Sequence, residues 1–77
     1  MDNLLLQKKI EKVFLKIIRT KITLNSNNRN VKKWDSLNHI KIVLGIEKEF
    51  NIKFALSEFN EINSIKNLKK LIRSKIN

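Results

Sequence analysis

Apolar residues return every three or four positions across residues 3–21: Leu6, Ile10, Val13, Phe14, Ile17 and Ile18. This spacing predicts an amphipathic helix. Lys8, Lys9, Lys12, Lys16 and Arg19 fall on its other face, and Asp2 or Asn3 is placed to cap it. The pattern breaks over residues 23–33, where Thr23-Leu24-Asn25-Ser26-Asn27-Asn28-Arg29-Asn30 is rich in side chains that bond their own backbone. A long polar loop is expected here, of a length that is uncommon unless functional or mobile. Val31 and Trp34 are expected to pin its far end to the core.

A second helix is predicted over residues 35–50. Asp35 and Ser36 are both good N-cap types, and Leu37, Ile40, Val43, Leu44 and Phe50 follow helical spacing. Ile42 and Ile46 widen the apolar surface beyond one stripe, which implies a core face and a partner face. Gly45 costs about 1 kcal/mol in a helix interior relative to Ala, and close packing would explain it. Asn51-Ile52-Lys53-Phe54 reads as a short extended connection with Ile52 and Phe54 turned inward. Ser57 is expected to cap a helical turn over residues 58–62, with Phe59 and Ile62 inward. Ser64 is expected to cap a last helix over residues 65–76, whose face is Ile65, Leu68, Leu71, Ile72 and Ile76.

These elements make an all-α chain: a small bundle of three main helices and one short one, with a long loop between the first two. The predicted core is Leu6, Ile10, Val13, Phe14, Ile17, Ile40, Val43, Phe50, Ile62, Ile65, Leu68 and Ile72. The 77 residues fill one domain, with a thin core. One Gly and no Pro argue against a hairpin-rich fold. The lack of Cys excludes disulfides and thiolate metal sites. A single His, His39, makes an ordinary zinc site implausible. No apolar run is long enough for a membrane span, no signal peptide is legible at the N-terminus, and a cytoplasmic, monomeric protein is expected.

Charge changes the picture. Seventeen Lys and Arg against seven Asp and Glu give +10, which raises nucleic acid or an anionic membrane as partners. Two observations weigh against reading it literally. Lys, Ile and Asn are all abundant, at 14, 12 and 11 residues, and all have A/T-rich codons, so the excess is functional or compositional. Only three of the cations are Arg, the residue favoured for bidentate phosphate and base contacts. The excess is also uneven: +6 over residues 1–35, −1 over 36–62 and +5 over 63–77.

The segment that suggests chemistry is Trp34-Asp35-Ser36-Leu37, at a helix start after a long loop. Glu47-Lys48-Glu49-Phe50 closes that helix, and Ile52, Phe54, Ile62 and Ile65 follow. The arrangement resembles the acyl carrier protein family, the phosphopantetheine-binding domains, over nearly the whole chain. The Asp-Ser-Leu triplet alone is weak; with the Glu-x-Glu-Phe helix end and the spaced last helix it is more specific.

The resemblance implies a non-catalytic carrier. Ser36 would be esterified with 4′-phosphopantetheine from coenzyme A by a separate phosphopantetheinyl transferase. The pantetheine thiol would carry acyl groups as thioesters between acyl-loading and acyl-processing enzymes. By the same resemblance Asp35 helps the transferase bind and position its metal; a cap role is compatible with that. Leu37, Lys41 and Leu44 would lie on the partner-reading side of the second helix, while Ile46 reads better as core. His39 reads as a surface residue and Trp34 as packing. A site at a helix start suits a phosphodiester, since backbone N–H groups and the helix dipole favour anions there. The departure from the family is electrostatic: Asn38 and Lys41 stand where acidic residues are common. This points to a dedicated partner with an acidic docking surface and a specialised pathway.

Two other readings compete. A basic nucleic-acid-binding module would use Lys66, Lys69, Lys70, Arg73 and Lys75 on phosphate, and gives no reason for the Asp-Ser-Leu segment. A membrane-surface protein would use the first or last helix; its apolar faces would then be spent on lipid, leaving too little for a core. An enzyme is least expected.

Overall fold

The computed structural model describes residues 1–76. Three α-helices are present: α1 (Asn3–Ile18), α2 (Ser36–Phe50) and α3 (Ile65–Ile76), with a 3₁₀ helix at Leu56–Glu61 before α3. The small all-α bundle expected from the periodicity is what forms. None of the described helices is long and apolar enough to cross a membrane.

Each helix start has a chemical cause. Asp2 Oδ1 accepts from Leu5 N–H at 2.8 Å, and Asp35 Oδ1 accepts from Asn38 N–H at 2.9 Å. Ser64 Oγ accepts from Asn67 N–H at 3.1 Å. These are N-caps of the ordinary kind. The 3₁₀ helix departs from expectation. It starts before Ser57, on Ala55, whose N–H donates to Glu58 Oε1 at 2.7 Å. The predicted turn over 58–62 is therefore shifted, and Ser57 is not its cap. α1 also stops short of residue 21. Arg19 adopts the left-handed region (φ 53°), and Asn51 does the same after α2 (φ 54°). Both end their helices in place of the usual glycine.

The core is built from Leu6, Ile10, Phe14, Ile42, Ile46, Ile62, Ile65, Leu68 and Ile72, all fully buried, with Val13, Ile18, Ile22, Val31, Trp34, Val43 and Phe50 around them. Two predicted core residues differ. Ile40 is 48% exposed, and Ile17 packs partly buried against the core. The reason is the rotation of α2. A Cβ on Gly45 would lie 2.7 Å from Ile17 Cδ1 and 2.9 Å from Val13 Cγ1, so α2 approaches α1 on its glycine. That contact turns Ile42, Val43 and Ile46 inward and leaves Leu37, Ile40 and Leu44 outward.

The polar loop is tied down by its own side chains. Asn27 Oδ1 accepts from the N–H groups of Arg29 (2.8 Å) and Asn30 (3.0 Å), and Asn30 Oδ1 accepts from Asn27 N–H at 2.8 Å. Ser26, buried, accepts from Thr23 N–H at 2.8 Å. The loop then pairs with the start of α3: Asn28 N–H donates to Asn63 O at 2.9 Å, and Ile65 N–H donates to Ser26 O at 3.0 Å. Ile22, outside any periodic segment, is buried beneath it.

Two predictions follow from this packing. Gly45→Ala gains helix propensity of about 1 kcal/mol, but the forced shift of stiff, β-branched Val13 costs roughly 1–3 kcal/mol. A net loss is expected in urea denaturation, and a larger one for Gly45→Val. Lys75 Nζ lies 2.8 Å from Glu58 Oε1. That hydrogen bond, with the one from Ala55 N–H, holds the Glu58 carboxyl below its ordinary value of 4.5. Its contribution to stability is full above that value and is lost as pH falls through the depressed folded value. Acid titrations of Glu58→Gln should therefore show a flatter loss of stability than the native chain.

Candidate functional site

Trp34 anchors the site. Its ring is 3% exposed and packs edge-to-face on Phe14 of α1, with centroids 4.9 Å apart. Its backbone N–H donates to Val31 O at 3.0 Å, closing the loop end. With Trp34 fixed, the next residue turns extended and caps α2 (Asp35 φ −96°, ψ −177°). Asn38 Nδ2 donates back to Lys33 O at 2.8 Å. Ser36 is thus the first residue of α2, and it is exposed.

His39, expected on the surface, is half-buried and bonded on both sides. Trp34 Nε1 lies 3.0 Å from His39 Nδ1, and His39 Nε2 lies 2.9 Å from Phe59 O. An indole N–H only donates, so Nδ1 accepts and the proton sits on Nε2, donating to the Phe59 carbonyl. The His39 and Phe59 rings also meet edge-to-face at 4.7 Å. His39 therefore ties the 3₁₀ helix to α2 and to Trp34. Nothing in the sequence pattern signalled this, because its partners are a loop residue and a carbonyl of another element. With both nitrogens engaged, His39 is not a free base for the Ser36 hydroxyl.

Between α2 and the 3₁₀ helix lies a cleft of about 510 Å³. Trp34, Ile40, Phe59 and Ile62 form its apolar lining; Asn28, Asn60 and Asn63 add amide groups; Asp35, Ser36 and His39 lie along it. A smaller groove of about 280 Å³ shares Ile40 and Phe59 and extends to Leu44 and Leu56. The three asparagines and Phe59 were not candidates from the sequence. They reach the site only because the loop pairs with the start of α3 and the 3₁₀ helix folds over α2.

The residues expected to face a partner, Leu37, Lys41 and Leu44, are exposed. Leu37 and Leu44 are 65% and 59% exposed, and Lys41 is exposed beside them. Ile46 is in the core. The cations of the nucleic-acid reading are less free than the sequence suggested. Lys69 is buried, its ammonium 3.5 Å from Asn3 Oδ1, which also accepts from Arg73. Desolvation first, and then the Arg73 charge, lower its pKa against the opposing pull of Glu11. Lys75 is engaged with Glu58.

No protein-family model matches the chain, and no curated protein is significantly similar to it.

A double-mutant cycle tests the central link. Trp34→Phe leaves His39 Nδ1 without its donor, and His39→Leu leaves the Trp34 indole N–H without an acceptor and the Phe59 carbonyl without a donor. Each unsatisfied group costs roughly 1–3 kcal/mol. The combined variant should lose less than the sum of the two in urea denaturation.

Proposed function

We propose that the chain is a non-catalytic acyl carrier, modified at Ser36 with 4′-phosphopantetheine. The observation that carries the reading is the placing of Ser36. It is an exposed hydroxyl at the first residue of a 15-residue helix, beside a cleft with apolar and amide lining. The first N–H groups of a helix have no intrahelical partner, so α2 favours a phosphodiester there. The residues present fit the group. An extended arm with amides and methylenes matches the mixed lining of Trp34, Phe59, Ile62, Asn60 and Asn63. When bound, the group supplies a thiol for thioester formation, in a chain with no Cys of its own.

The chain's own residues hold and present. Asp35 fixes the first turn of α2 through Asn38 N–H, and its exposed carboxylate is available to a transferase. No base is poised on Ser36, since His39 is bonded to Trp34 and Phe59; the reading therefore assigns activation of the hydroxyl to a partner enzyme. Leu37, Lys41 and Leu44 form the surface offered to partners. An apolar centre with a lysine suits an acidic docking face, which sets on-rate and specificity more than affinity.

Intact mass after incubation with coenzyme A, magnesium and a phosphopantetheinyl transferase tests this directly. The native chain should gain one phosphopantetheine, and Ser36→Ala none. Lack of any gain with both broad-specificity and carrier-restricted transferases would overturn the reading, as would an equal gain in Ser36→Ala.

A further inference from the structure

The outward face of α1 is largely exposed. Its inner stripe, Leu6, Ile10, Val13, Phe14 and Ile18, is spent on the core. Helical spacing gathers Leu4, Lys8, Lys12, Leu15 and Lys16 on the opposite side. Leu4 and Leu15 are 66% and 53% exposed, and Leu5 and Met1 are exposed beside them. A hollow of about 400 Å³ lies on this face, lined by Lys8, Lys12, Lys16 and Lys21 together with Leu15 and Glu11. Glu11 is the one acidic group in that lining; it is half-buried and acts on Lys69 of α3. The Lys12–Glu49 ion pair is long, at 3.6 Å, and leaves the Lys12 side chain 69% exposed.

We propose that this face of α1 docks the chain on an anionic lipid surface, without crossing it. Three features commit it to that occupant. The face is cationic, so it repels a second copy of the chain. Its leucines are interleaved with lysines, and lysine stems lie along an apolar boundary while their ammonium groups reach the lipid phosphates. Its cations in the hollow are lysines with no exposed aromatic ring among them, which lacks the stacking platform of single-strand nucleic-acid binders and the arginine fork of base readers. The core does not compete for these residues, because α1 uses opposite faces for the two purposes. The inference is independent of the carrier reading.

Vesicle flotation of the unmodified chain tests it, with vesicles of phosphatidylcholine alone or mixed with phosphatidylglycerol. Binding is expected only to the mixed vesicles, weakening as salt rises. Lys8→Gln with Lys16→Gln should weaken it by roughly fivefold per lysine. Lys66→Gln with Lys70→Gln, an equal charge loss on α3, should leave it close to native. Leu4→Ser with Leu15→Ser, which keeps the charge, should weaken it about tenfold, and Ser36→Ala should not change it. Absence of binding to mixed vesicles would overturn the proposal. So would equal losses from the α1 and α3 lysine pairs, native-like binding by the leucine variant, or tighter binding to a DNA duplex at the same salt.

Discussion

The hydrogen bond from the Trp34 indole to His39 is the interaction on which the site depends. Trp34 is held below by Phe14 of α1 and behind by the loop. His39 passes that position on to the 3₁₀ helix through the Phe59 carbonyl. One buried indole thereby sets the distance between α2 and the 3₁₀ helix, and with it the width of the cleft. The same fixed point makes Asp35 a cap and leaves Ser36 outside. The helix start is bonded through Asp35 and Asn38, while the Ser36 hydroxyl stays exposed.

The acidic residues of the second half are largely consumed inside the fold. Glu47 Oε2 accepts from Phe54 N–H at 2.8 Å, Glu49 faces Lys12, and Glu58 is shared by Ala55 N–H and Lys75. The near-neutral balance over residues 36–62 therefore does not mean a near-neutral surface. Lys41, Lys48 and Lys53 stay exposed while most of the carboxylates turn to internal partners. Formal charge along a chain and the side chains a partner meets are different quantities, and the exposed charged side chains of this stretch are three lysines and Glu61.

The helices were legible because their periodicity and caps are local: Asp2, Asp35 and Ser64 lie where short polar residues precede apolar repeats. The rotation of α2 was not. Its sequence offers two apolar stripes, Leu37-Ile40-Leu44 and Ile42-Ile46-Phe50, and only the approach of Gly45 to Val13 and Ile17 selects the second for the core. The place of Ser36 at the start of α2 was legible from its caps; the cleft beside it, with Asn28, Asn60, Asn63 and Phe59, was not. His39 and Lys69 were misread for one shared reason. Each is a polar side chain whose partners come from a distant element: Trp34 and Phe59 for one, Asn3 for the other.

The pairing of Ser26 and Asn28 with Asn63 and Ile65 has a kinetic meaning. Contacts distant in the chain form only after the entropy of closing the intervening loop has been met. The two long helices can meet early, through contacts nearer in sequence. The rim of the cleft, with Asn28 and Asn63, can close only when the last helix arrives. During synthesis, therefore, a chain that has made Ser36 and all of α2 still lacks the far wall of the cleft beside it. The cleft exists only once residues 59–63 have joined the residues around Ser36.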